Sequence, residues 1–156
     1  FILSTIKDYS MSKYRHILVA IDFSTSADLV LQKALDLAQE NNARMTLLHS
    51  VEYMLPIDYD NDPLMNIDWL EQEKIIIDHA NESLKKFIKK HALADAGLHV
   101  SSGSPKQVIS QFVKESQCDL VVLGSHGRHG ISLLLGSTAN AVLHAMPCDV
   151  LTVKVG

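Results

Sequence analysis

The stretch Gly124-Ser-His-Gly-Arg-His-Gly130 is rich in glycine, and Gly136-Ser137-Thr138 follows with five residues between. Glycines let a loop bring backbone N–H groups close to phosphate oxygens. A helix opening at Ser137 adds unpaired N–H groups and the positive end of a dipole. Ser137 and Thr138 offer hydroxyls, Arg128 offers charge, and Ser125 and His126 lie inside the loop. Far upstream, Asp22 ends an apolar run and can accept hydrogen bonds from a ribose. The chemistry these residues point to is nucleotide binding. Plainer readings stand beside it: Asp22 can cap a turn, Gly136-Ser137 can simply open a helix, and glycines after a strand are common turn residues.

Other chemistry is less well served. His126 and His129 are three residues apart in a glycine loop, without a carboxylate or cysteine at ligand spacing, so loop polarity is preferred to a metal site. His16 and His49 read as satisfied, partly buried side chains. Ser125 and His126 are neighbours, but adjacent residues of extended chain point to opposite faces, and no G-x-S-x-G elbow surrounds them. Neither a P-loop nor G-x-G-x-x-G is present. Phosphoryl transfer wants acidic metal ligands near the phosphates, and Asp22 alone is placed for that. Lys85, Lys86, Lys89 and Lys90 read as a solvated helix face. Asp58-Tyr-Asp-Asn-Asp62 lacks the ligand order of an EF-hand.

The elements that must position these groups alternate. His16-Ile-Leu-Val-Ala-Ile21 is a continuous apolar run, as in a strand covered on both faces. Thr25 and Asp28 have capping-box spacing, and Val30, Ala34, Leu37 and Ala38 recur at helical period. Met45 to Val51 is a second strand, and residues 52–66, with Pro56 and Pro63, read as a long loop. An amphipathic helix over Trp69–His91 buries Ile77, Ala80, Leu84, Phe87 and Ile88. Leu98 to Ser102 is a weaker strand. Gly103-Ser-Pro105 opens a helix whose inner face is Val108, Ile109, Phe112 and Val113. Asp119 to Leu123, a helix from Ser137 to Met146, and Asp149 to Val155 complete the series. Five strands alternating with four helices predict an α/β fold: a single doubly wound, flavodoxin-like parallel sheet. In such sheets ligands sit beyond the carboxyl ends of the strands, where Asp22, Ser50 and Gly124 fall. The last strand alternates and is placed at an edge, open to pairing in a homodimer through residues 149–155.

The chain has 156 residues, 47% hydrophobic and 21% charged, which fits one globular domain with its own core. A net charge of -4 argues against broad nucleic-acid or anionic-membrane binding. Cys118 and Cys148 are isolated, as in a reducing compartment. Residues 1–10 are expected to be a foreign or disordered leader, with Met11 as the natural start and the domain over 11–156.

Taken together, these segments resemble the universal stress protein family, of the universal stress protein A kind. The resemblance runs from Lys13 to Val155. It rests on Ile17-Leu-Val-Ala-Ile-Asp22-Phe-Ser24, Leu47-Leu-His49 and Gly103-Ser-Pro105. Its most specific part is Asp119 to Gly130, continuing through Gly136-Ser137 to Pro147-Cys-Asp-Val-Leu151. An ATP-binding branch of that family carries Gly, two residues, Gly, nine residues, Gly, then Ser or Thr. Here Gly124, Gly127, Gly136 and Ser137 take those places, but eight residues, not nine, separate Gly127 from Gly136. The resemblance implies phosphate contacts at Gly127, Gly136, Ser137 and Thr138, ribose contact at Asp22, and adenine contact around Ala20, Ile21 and Ser50. The expectation is a cytoplasmic, homodimeric stress-response binding or signalling module that takes ATP or another adenine nucleotide, with Mg as a possible companion, and uses no catalytic residue. A nucleotide-independent interaction protein with an unknown protein partner and a slow ATPase are the alternatives. No nucleic acid, membrane or resident metal is expected.

Overall fold

The computed structural model describes residues 14–52, 65–126 and 135–155, with the backbone alone for 65–69. The leader, Met11, the Asp58–Asp62 loop, Gly127, Arg128 and His129 lie outside the described residues.

Five strands and four helices alternate: β1 (His16–Ala20), α1 (Ala27–Asn41), β2 (Arg44–Val51), α2 (Met65–Lys90), β3 (Gly97–Ser102), α3 (Pro105–Ser116), β4 (Leu120–Gly124), α4 (Ser137–Ala145) and β5 (Asp149–Val153). Every strand pair is parallel. The predicted doubly wound α/β layout is therefore present. Its strand order is β3-β2-β1-β4-β5, whereas flavodoxin's is 2-1-3-4-5. Alternation of elements sets the class and hand of a sheet, but not which strand the chain returns beside. Here the chain winds outward through β2 and β3, then crosses back to lay β4 against β1.

The apolar runs behave as strands buried on both faces. Ile17, Leu18, Val19, Val121 and Val122 are fully shielded from water, each such side chain contributing about 1.5–3 kcal/mol over an exposed one. One face packs under α1 and α2, with Val30, Leu31, Ala34 and Leu84. The other packs under α3 and α4, with Val108, Ile109, Val113, Ala139 and Val142. Of the helix faces read from the sequence, Val30, Ala34, Ala80, Leu84, Val108, Ile109 and Val113 are buried, while Leu37, Ile77, Phe87, Ile88 and Phe112 are half-buried and Leu143, read with the last helix, is exposed.

Three local expectations are corrected. The Thr25–Asp28 capping box does not form. Ser26 is the N-cap and its side chain makes no capping bond. Asp28 instead accepts from Lys90 Nζ at 2.8 Å and pairs with His91 Nε2 at 2.9 Å, tying α1 to the end of α2. The fifth strand stops at Val153 rather than Val155, because Val155 N donates to Ser125 Oγ at 3.2 Å. The long helix starts earlier, at Met65. By contrast, α3 opens as read: Pro105 follows the N-cap Ser104, whose hydroxyl accepts from Gln107 N.

At the amino end of the sheet, His16 is buried. Its Nδ1 lies 3.3 Å from Ser116 O, an acceptor, so Nδ1 carries the proton. Its Nε2 then accepts from the Thr46 hydroxyl at 2.9 Å. Burial pushes the His16 imidazole below its ordinary 6.5, and burial does the same to His99. A histidine whose folded pKa is lowered binds fewer protons folded than unfolded, so stability rises with pH. The contribution is full above the unfolded value and is lost as pH falls through it. The thermal midpoint is expected to drop between about pH 7.5 and 5.5, and to drop less in His16→Phe. Parallel slopes in calorimetry of the two proteins would contradict this.

A cleft at the switch in strand order

β1 sends the chain one way and β4 receives it on the other side. The carboxyl ends of these two strands frame a cleft of about 660 Å³, within the ordinary range for small-molecule sites. Ten of the residues named from the sequence line it: Ala20, Ile21 and Asp22 after β1, Ser50 on β2, Gly124, Ser125 and His126 after β4, and Gly136, Ser137 and Thr138 at α4. Gly127 and Arg128 belong to the segment outside the described residues.

The wall between β4 and α4 supplies donors. Gly136 is the N-cap of α4, and no side chain caps this helix. The first-turn N–H groups at Ser137, Thr138 and Ala139 therefore have no partner within the helix. Gly136 N donates to Ser125 O at 2.7 Å. A Cβ at Gly136 would sit 3.0 Å from Ser125 O and 3.3 Å from His126 Cα. The glycine thus lets the helix start press closely against the loop after β4, where a side chain would make the backbone give by a few tenths of an ångström.

The wall formed by β1 and β2 supplies acceptors. Asp22 Oδ1 accepts from Ser24 N at 3.0 Å. That short turn is the capping role foreseen for Asp22, and it leaves the second carboxylate oxygen available. Phe23 adopts φ 55° directly after it and packs on the His49 ring at 4.5 Å. His49 Nδ1 lies 2.6 Å from Ile21 O, which fixes its proton on Nδ1 and leaves a lone pair on Nε2. Glu52 adds a second carboxylate. No lysine or arginine occurs among the described lining residues.

Leu48, Pro105, Ile109 and Leu123 give the same cleft an apolar part. Sequence reasoning overlooked these four. Leu48 and Leu123 read as pure core. Pro105 could have been found, because Gly103-Ser-Pro105 follows the carboxyl end of β3 as the other site segments follow theirs. His49, read as a satisfied side chain, is satisfied at Nδ1 and also lines the cleft.

Ser125 and His126 do not follow extended-chain geometry. The chain bends after β4, and Ser125 Oγ meets His126 Nδ1 at 2.9 Å. Ser125 is nonetheless buried, and its Oγ accepts from Val155 N, which ties the loop after β4 to the chain beyond β5. Among the described residues no group of three or more His, Cys, Asp or Glu could hold a metal ion, and no helix is long and apolar enough to cross a membrane.

Fold and cleft together define a doubly wound α/β domain with a ligand-sized site at its topological switch. Residues 13–154 match the sequence model of the universal stress protein family. Universal stress protein A homolog 1 of Coxiella burnetii is 35% identical over 140 residues, 90% of this chain and 96% of that protein. Universal stress protein UspA from Lactobacillus plantarum superposes with a TM-score of 0.74 at 26% identity, covering 92% of this chain and 99% of that one. A universal stress protein solved in complex with cAMP superposes with a TM-score of 0.64 at 24% identity, covering 93% of this chain and 100% of its own. The chain belongs to the universal stress protein family.

The tight approach at Gly136 generates a test. Gly136→Ala forces a backbone to move and is expected to cost about 1–3 kcal/mol in urea unfolding. An unchanged unfolding midpoint would show that the helix start is not held against the loop.

Proposed function

We propose that this protein is a stress-response module that binds ATP or a related adenine nucleotide in the cleft between β1 and β4, without turning it over. The observation that carries the reading is that one cleft combines donors at the start of α4, acceptors at Asp22 and an apolar part at Leu48, Pro105, Ile109 and Leu123. Phosphate oxygens are acceptors and suit the uncapped start of α4, with the hydroxyls of Ser137 and Thr138. Ribose hydroxyls are donors and suit Asp22. The base suits the slot beside Ala20, Leu48 and Ser50. The family member crystallised with cAMP supports an adenine nucleotide as the ligand class.

Charge decides the form of the ligand. Among the described residues the helix start offers about half an elementary charge, against Asp22 and Glu52 in the same cleft. A triphosphate therefore enters as its magnesium complex, the metal arriving on the phosphates and keeping most of its water. Turnover is not part of the proposal, because the one cleft hydroxyl that meets an imidazole among the described residues, that of Ser125, is buried and accepts from Val155 N. The protein works in the cytoplasm as a homodimer joined through residues 149–155. Support comes from β5 lying at a sheet edge and from two free thiols, of which burial pushes Cys118 up to about 12.

Ser137 is exposed at the first position of α4. A glutamate there favours the helix while repelling phosphate. Calorimetric titration with Mg-ATP is expected to show saturable binding, weakened at least about tenfold in Ser137→Glu and also by removing magnesium. Phosphate release from ATP is expected to stay at the buffer blank. No heat and no thermal stabilisation at about millimolar ATP would overturn the reading in favour of a nucleotide-independent interaction protein.

A further inference from the structure

Cys118 and Cys148, far apart in sequence, are the only cysteines of the chain, and the sheet brings them to one place. β4 and β5 are neighbouring parallel strands in which Leu120 pairs with Asp149. Cys118 lies two residues before the first of these, and Cys148 one residue before the second. With strands about 4.8 Å apart and a rise of about 3.3 Å per residue, that offset puts the two Cα atoms roughly 6 Å apart. Disulfides span Cα separations of about 4.4–6.8 Å. Both side chains are on the α3–α4 side of the sheet. Cys118 is buried in the cluster that holds Val121 and Val142, and Cys148 packs against that cluster. Both also line one hollow at the amino end of the sheet, with Arg15, Asp119 and Asp149. Both are free thiols.

We propose that Cys118 and Cys148 form an oxidative modification site, a thiol pair that hydrogen peroxide converts into an intramolecular disulfide joining the entry of β4 to the entry of β5. Cys148 is half-buried and meets the oxidant first. Its sulfur attacks one peroxide oxygen, the O–O bond breaks, and a sulfenic acid and one water result. The Cys118 sulfur then attacks the Cys148 sulfur. The S–O bond breaks, and the hydroxyl leaves as a second water with the Cys118 proton. The two thiols lose two electrons and two protons, and the peroxide takes up both. In turning toward Cys148, Cys118 Sγ gives up a 3.3 Å contact with His16 Nδ1, while His16 keeps Ser116 O and the Thr46 hydroxyl. Burial pushes both thiols up; Cys148 adds to this at Cys118, and Asp149 and Asp119 add to it at Cys148. Thiolate is therefore scarce and the reaction slow, so the site records lasting oxidant rather than a brief pulse. The segment closed by the bond contains β4 and α4, and its closure removes freedom from the unfolded chain. It also ties down the start of the edge strand β5.

The test treats the folded full chain overnight with excess hydrogen peroxide at about pH 8.5, where thiolate is more abundant. Intact mass, thiol titration and non-reducing electrophoresis follow the product. The expected product is a single-chain band lighter by two hydrogens, with no titratable thiol and with one peptide pair joined at Cys118 and Cys148. Dithiothreitol is expected to restore the starting protein. The thermal midpoint of the oxidised form is expected to rise by roughly 5–10 °C, since the bond closes a loop of about thirty residues. Cys118→Ser is expected to stop at the Cys148 sulfenic acid, trapped by dimedone. Cys148→Ser is expected to keep its one buried thiol under the same treatment. A covalent dimer through Cys148, sulfinic or sulfonic acids in place of the bond, or two thiols still titratable would each overturn the proposal. So would a bond that lowers the midpoint. None of these readouts depends on nucleotide binding, so the proposal stands or falls apart from that reading.

Discussion

The cleft depends on one close backbone approach. Gly136 N–H reaches Ser125 O at 2.7 Å, and a Cβ at 136 would stand only 3.0 Å from that oxygen. This contact sets the start of α4 against the end of β4. It also determines where the unpaired N–H groups of that helix point. Ser125 is itself held twice by the chain of β5 and just beyond, through its backbone N and its hydroxyl. The edge strand, the loop and the helix start therefore form one braced unit. A bulkier residue at 136 or an apolar one at 125 would disturb all three together.

Much of the fold was legible because its signals are local and repeated. Continuous apolar runs mark strands covered on both faces, and the residues at helical spacing in α1 and α3 are the ones that face the sheet. The site segments were legible for a related reason: in a parallel sheet the carboxyl ends of the strands converge, so residues after separate strands become neighbours. What escaped were features decided by distant partners. Strand order depends on where the chain crosses back. The failed capping box depends on Lys90 and His91, far along the chain from Asp28. The early end of β5 depends on Ser125. The Ser125–His126 bond depends on a bend that alternation in a strand does not describe.

Membership in the universal stress protein family agrees with the fold and leaves the chemistry of the cleft to its own residues. Those residues separate by hydrogen-bonding character. Asp22, His49 Nε2 and Glu52 accept on one side, while the α4 start, Ser137 and Thr138 donate on the other. A ligand that carries an anion, a polyol and a planar apolar group finds a partner for each in such a cleft, the last beside Leu48, Pro105, Ile109 and Leu123. Adenine nucleotides carry these three parts, with the ribose joining base to phosphate.

The most direct measurement is a nitrogen–proton correlation spectrum of the protein titrated with Mg-ATP. Amides that donate to phosphate move downfield on binding, so the account predicts the largest saturable shifts at Ser137, Thr138 and Ala139, with smaller ones at Ile21 and Ser50. Shifts centred elsewhere in the protein, or none at saturating nucleotide, would contradict it.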